Sequence, residues 1–187
     1  MGGKRTLSSF ADSAYFQCMS AIRWTTGYTS VELERAQTRF HLTFPPDLIE
    51  LLLDRRPVGG PDWNNEETVR PLLAWPFEGL LFDIENNGLW WAEWGNRPNA
   101  AEERAEVLAQ VLSRAPKLIP IFGHRYLPAT PTQAGNPVFS VYQSDIIHYG
   151  ADLAHYLDME EYGWGAQPWP EVREIDFWSE LVRRNGG

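Results

Sequence analysis

The sequence predicts an α+β fold in which an antiparallel β meander is flanked by helices. Two observations carry this. Between Leu118 and Tyr149, short β-type runs follow one another with turn residues between them, and strands this close together pair antiparallel. Elsewhere lie capped segments with apolar residues at helical spacing. The length of 187 residues suits one domain with a sizeable core, and a hydrophobic fraction of 43% is ordinary for a globular chain. Residues 29–187 are expected to form that domain, preceded by an arm or helix over 1–28.

In the arm, Phe10, Ala14, Met19 and Ile22 hint at a helix that Gly27 ends. Thr29 and Glu32 have the spacing of a capping box, in which each side chain reaches the other's backbone amide. Leu33, Ala36 and Phe40 follow on one helix face. Pro45 breaks that pattern, and Pro46 suits the first position of a second helix with Asp47 at its positive end. Leu48, Leu51 and Leu52 form its buried stripe, Arg55 and Arg56 suit its negative end, and Pro57, Gly59 and Gly60 stop it. Residues 64–74 and 76–86 are expected as two further helices, the second opened by Pro76 and closed by Asn87 and Gly88. Leu89 to Ala92 reads as extended chain. Asn99, three residues before Glu102, is the expected cap of a helix burying Ala105, Leu108, Val111, Leu112 and Ala115. Leu118–Phe122, Val138–Tyr142 and Ile146–Tyr149 read as strands, with turns at Ala134 to Pro137 and at Ser144-Asp145. Helices over 152–157 and 174–184 complete the chain, the last burying Ile175, Trp178, Leu181 and Val182.

Charge narrows the function. The chain has 25 acidic and 16 basic residues, a net charge of −9. The acidic groups concentrate in residues 62–106 and 145–187, and 107–144 hold none. Such a balance repels phosphate backbones, so nucleic acid is not an expected partner. It attracts a basic partner, although acidic surfaces also serve solubility alone. No apolar run approaches the roughly 20 residues that cross a bilayer, and no apolar stretch follows Lys4-Arg5. Neither a membrane span nor a signal peptide is expected. Cys18 is the single cysteine, so no disulfide forms within the chain, which fits a reducing, cytoplasmic setting.

Catalytic signatures are sparse. There is no Gly-x-Ser-x-Gly elbow, no Walker loop and no dinucleotide fingerprint. His148, Asp152 and His155 could converge, but the histidines lack metal-site spacing. His148 is expected to pack on a strand and His155 to sit at a helix surface. No catalytic residue, cofactor or metal ligand is assigned. Asp83, Glu85 and Glu93 lie among tryptophans, the combination a glycoside hydrolase or carbohydrate binder uses. Tryptophans at this density more often fill a core or a protein interface. Arg125 is expected to pair with a carboxylate such as Asp145 across the meander.

Three blocks resemble the SMI/KNR branch of the SUKH superfamily. The first is Trp75 to Pro98, with Gly79, Asp83, Asn87, Gly88, Trp90 and Trp91. The second is Leu118 to Pro128, with Pro120, Gly123, His124 and Arg125. The third is Gly135 to Gly150, with Asn136, Pro137, Asp145 and Tyr149. Their order is specific, and the resemblance spans roughly residues 30–160. It implies an α+β fold without enzymatic activity. Bacterial members of the superfamily are taken to be immunity proteins that neutralise a toxin domain, often a nuclease. Fungal relatives are regulatory binding proteins in cell-wall assembly. The block residues are expected to be structural. Gly88 and Gly123 permit unusual backbone angles, and Asn136-Pro137 fixes a turn. Asp83, Asn87 and Asp145 bond nearby amides, and Trp75, Trp90 and Trp91 fill core volume.

The expected function is therefore protein binding without catalysis, foremost capture of a basic toxin domain by an acidic immunity protein. A regulatory interaction module outside toxin systems is the alternative. A sugar-binding or sugar-hydrolysing protein is the second. Glu85, Glu93, Asp152, Glu160 and Glu161 are the expected contacts.

Overall fold

The structure, a computed structural model, describes residues 22–163 and 169–185. Phe10, Ala14, Met19 and Cys18 lie outside the described residues. The chain runs β1 (Trp24–Thr26), α1 (Ser30–Phe40), α2 (Pro46–Asp54), β2 (Arg55–Pro57), α3 (Glu66–Asn86), a 3-10 turn (Ala92–Trp94) and α4 (Ala101–Leu112). It continues with β3 (Leu118–Phe122), β4 (Arg125–Pro128), β5 (Val138–Tyr142), β6 (Asp145–Gly150), α5 (Leu153–Tyr162) and α6 (Trp178–Arg184). The fold is α+β. Strands β3 to β6 form an antiparallel meander in sequence order, and β1 pairs with β2 as a separate antiparallel ribbon.

The meander is the middle layer because its strands are apolar on both faces. Successive side chains of a strand point to opposite sides. In β5, Val138 joins a core with Leu33 and Phe40 of α1, Leu48 and Leu52 of α2, and Trp63. Phe139 and Val141 join a second core with Leu80 and Ile84 of α3, Leu108 of α4, and Trp178 and Leu181 of α6.

Local chemistry sets the first helices as expected. Thr29 Oγ1 accepts the Glu32 amide at 3.3 Å, and the Glu32 carboxylate accepts the Thr29 amide at 2.8 Å. A cap of this kind stabilises a helix by about 1 kcal/mol. In α2, Pro46 opens the helix and Leu48, Leu51 and Leu52 are buried.

Elsewhere the expectations need correction. Residues 24–26 are strand rather than the end of a helix, and Arg55-Arg56 belong to β2 rather than to the end of α2. The two segments form one ribbon, and Gly27 follows it because a Cβ there would collide with the Leu53 carbonyl. The helices expected over 64–74 and 76–86 are one helix, α3, with Pro71 and Pro76 inside it. A proline in a helix frees the carbonyl four residues back. For Pro76 that carbonyl is Leu72, and the Tyr126 hydroxyl donates to it at 2.8 Å. For Pro71 it is Glu67, on an exposed turn open to solvent.

Four local features also differ from the expectation. Ala100, not Asn99, caps α4, with no side-chain bond; the Asn99 carbonyl instead accepts from Arg104 Nη1 at 2.7 Å. That helix buries Arg104 and Leu108, while Ala105, Val111, Leu112 and Ala115 are half-buried. The last helix begins at Trp178, since Phe177 has a φ of 67° that interrupts it. The β5–β6 turn is Gln143-Ser144, and Asp145 opens β6.

Candidate functional site: an acidic cleft beside the sheet

The structure gives most of the singled-out carboxylates internal partners. Asp83 is buried, and its Oδ2 accepts the Ser144 amide at 2.8 Å and the Ser144 hydroxyl. Its Oδ1 accepts from Asn87 Nδ2. Glu85 accepts from Arg104 Nε at 2.6 Å, and this bond holds its carboxyl below the ordinary value. Glu93 accepts from Arg184 Nη2 at 2.7 Å and is likewise held down, while the same guanidinium lies 3.9 Å over the Trp91 ring. Asp152 caps α5, accepting the His155 amide at 2.7 Å. The three carboxylates of the sugar reading are thus engaged by three different parts of the fold and do not stand as a free pair.

Glu160 and Glu161 are brought together. They line a cleft of about 300 Å³ with Ile22, Trp24, Arg55 and Leu157. The cleft exists because α5 passes the β1–β2 ribbon, which supplies Trp24 and Arg55. The Arg55 guanidinium rests 4.7 Å over the Trp24 ring. The last turn of α5 carries Asp158, Glu160 and Glu161 with no basic residue. That end of a helix is the negative pole of its dipole. Glu160 is half-buried, and burial pushes its carboxyl above the ordinary value against opposing effects of Arg125 and a Tyr149 hydrogen bond. Ile22, Trp24 and Leu157 beside two carboxylates, against the single charge of Arg55, suit a long side chain with an aliphatic stem and a cationic head.

Beside this cleft, Arg125 does not pair with Asp145. Its guanidinium stacks 3.5 Å over the Tyr149 ring and donates to Ser140 Oγ at 3.0 Å. Among the described residues, its buried Nε has no hydrogen-bond partner. Asp145 is exposed, and among the described residues no backbone amide donates to its carboxylate.

The other block residues hold the layers together. Buried Asn136 donates to the Pro128 and Pro131 carbonyls at 3.1 and 2.8 Å. Gly88 and Gly123 have φ of 74° and 54°, as expected of positions that suit glycine. Trp90 and Trp91 pack on the second core. Trp75 is an edge residue, 38% exposed, rather than core filling. The most buried described tryptophan is Trp63, at 2%, which composition alone does not single out.

His148 packs against Phe139, ring centroids 5.1 Å apart. His155 is buried rather than at a surface, and its Nδ1 accepts the Ala151 amide at 3.0 Å. Among the described residues, no group of three or more His, Cys, Asp or Glu is placed to hold a metal ion. No described helix is long and apolar enough to cross a membrane. Comparisons with family models, curated proteins and solved structures return no match to this chain.

Proposed function

We propose that this chain is a non-enzymatic protein-binding domain of the SUKH type, an immunity protein that acts in the cytoplasm by covering a basic toxin domain. The observation that carries this is the end of α5, where Asp158, Glu160 and Glu161 gather without a basic neighbour in the turn and two of them line a cleft with Trp24. Carboxylates at the negative pole of a helix disfavour the free fold. Binding surfaces carry such local costs because contact with a partner relieves them. A cationic side chain entering the cleft supplies that relief.

The SUKH assignment is supported by contacts among the three resembling blocks. Trp75 Nε1 donates to Val141 at 2.9 Å, and Asp83 holds Ser144. Arg125 stacks on Tyr149. Among the similar residues, Trp75, Asp83, Arg125 and Tyr149 lock the blocks to each other. An acidic cover on a nuclease would also compete with its anionic substrate.

The test begins with tagged protein recovered from its own cells at low and high salt, with partners identified by mass spectrometry. A basic toxin domain is expected, bound at low salt and released at high salt. The Glu160→Gln, Glu161→Gln double variant should then slow its association by about an order of magnitude at low salt. An association rate indifferent to salt and to these substitutions would remove the cleft from the interface. Recovery of cell-wall or housekeeping proteins instead of a toxin would replace immunity by regulation.

A further inference from the structure

The geometry points to a second protein-docking surface at the tip of the meander, where Trp75, Phe82 and Tyr142 surround the β5–β6 turn and can take an apolar side chain of a basic partner. It rests on the protein-binding function proposed for the acidic cleft and adds a contact distinct from that cleft.

The surface is built by one close approach. Gly79 of α3 lies against the turn, and a Cβ there would come 2.9 Å from Gln143 Cα. Trp75 and Phe82 lie four residues before and three after Gly79, so they flank the turn on the same helix face. Tyr142 stands 6.2 Å from Trp75, and His124 stands 6.3 Å from Tyr142. Phe82 and Tyr142 are 49% and 55% exposed.

These rings sit on a fixed platform. The Trp75 indole N–H is bonded to Val141, and Ser144 is held by Asp83 on one side and by Asn185 on the other. Large aromatic side chains on a preorganised surface are the usual centres of binding energy.

Charge selects the occupant. Glu78 lies between Trp75 and Phe82 along α3, and Asp145 is directly opposite Tyr142 in the β5–β6 register. Both are exposed, and neither has an ion-pair partner among the described residues. An apolar centre with an acidic rim complements an apolar knob ringed by Lys and Arg. A second copy of this chain would bring like charges together. A sugar ring prefers a flat aromatic shelf, whereas Trp75 and Tyr142 are inclined at 57°.

The experiment is an NMR titration of the isotopically labelled full chain with three probes. These are a synthetic amphipathic peptide of Leu, Trp, Lys and Arg, an oligolysine of equal charge, and a chitin oligosaccharide. The amphipathic peptide is expected to shift the Trp75 indole N–H and the amides of Gln143, Ser144 and Asp145. Oligolysine should shift α5 and leave the tip unmoved. The Tyr142→Ser, Phe82→Ser double variant, which truncates two half-exposed side chains, should weaken the amphipathic peptide about tenfold while amides away from the tip keep their positions. Shifts confined to α5 with both peptides would overturn the tip and leave the cleft standing. No shift with either peptide would overturn the tip and the basic-partner reading together. Shifts at Trp75 and Tyr142 with the oligosaccharide alone would make the tip a sugar site instead.

Discussion

Glu160 sits where its charge is unfavourable to the free protein. Burial raises its carboxyl above the ordinary value, and Arg125 and Tyr149 only partly oppose this. A group raised in the folded state contributes stability that is present below its unfolded value and lost as pH rises through the folded value. At neutral pH the ionised side chain therefore works against folding. Glu160→Gln should raise the thermal midpoint at neutral pH by about 2 °C and change nothing in acid below the ordinary glutamate range. Thermal melts at the two pH values check this. A lower midpoint at neutral pH would mean that the carboxylate holds the fold together, and the case for a partner-relieved charge would fall. The neighbouring Arg125 tells a similar story, since a guanidinium with a buried, unbonded Nε carries a desolvation cost that stacking on Tyr149 only partly offsets.

At the scale of elements, α3 depends on the sheet for its continuity. Tyr126→Phe removes the donor to the Leu72 carbonyl and leaves that group unpaired beside Pro76. The expected cost is about 1–3 kcal/mol, read by chemical denaturation. A neutral outcome would show that water already reaches the carbonyl. This bond also explains why α3 reads as two helices from sequence: its rescue comes from a residue 54 positions away. Features set within one turn are legible, such as the Thr29–Glu32 capping box and the leucine stripe of α2. Strands β3, β5 and β6 of the meander are legible too, because alternation and turn residues are local, but β4, at four residues, is not. The β1–β2 ribbon is not, since three residues are too few to show a period. The candidate site divides in the same way. Glu160 and Glu161 stand out as acidic residues, but the Trp24 and Arg55 wall that makes a cleft of them arrives through that illegible ribbon. Glu85 and Glu93 look free until Arg104 and Arg184 reach them from 19 and 91 positions away.

Across the whole molecule, the net charge of −9 is carried mainly by the helices and connections, because the acid-free stretch 107–144 includes β3, β4 and β5. Like charges spread over a closed surface repel, and salt screens them. Added sodium chloride should therefore raise the melting midpoint, by about 2–4 °C between low and physiological ionic strength. A midpoint that falls with salt would show that pairs such as Arg104–Glu85 outweigh the repulsion. The Asp83 clamp has a consequence on a different axis. It joins α3 to a turn 61 positions further on, and Asn185 closes on the same serine from the end of the described chain. A contact that forms after the rate-limiting step of folding acts on escape rather than on arrival. Closed in that order, the clamp makes the meander tip slow to open once made, so its service life is a matter of kinetics as much as of equilibrium.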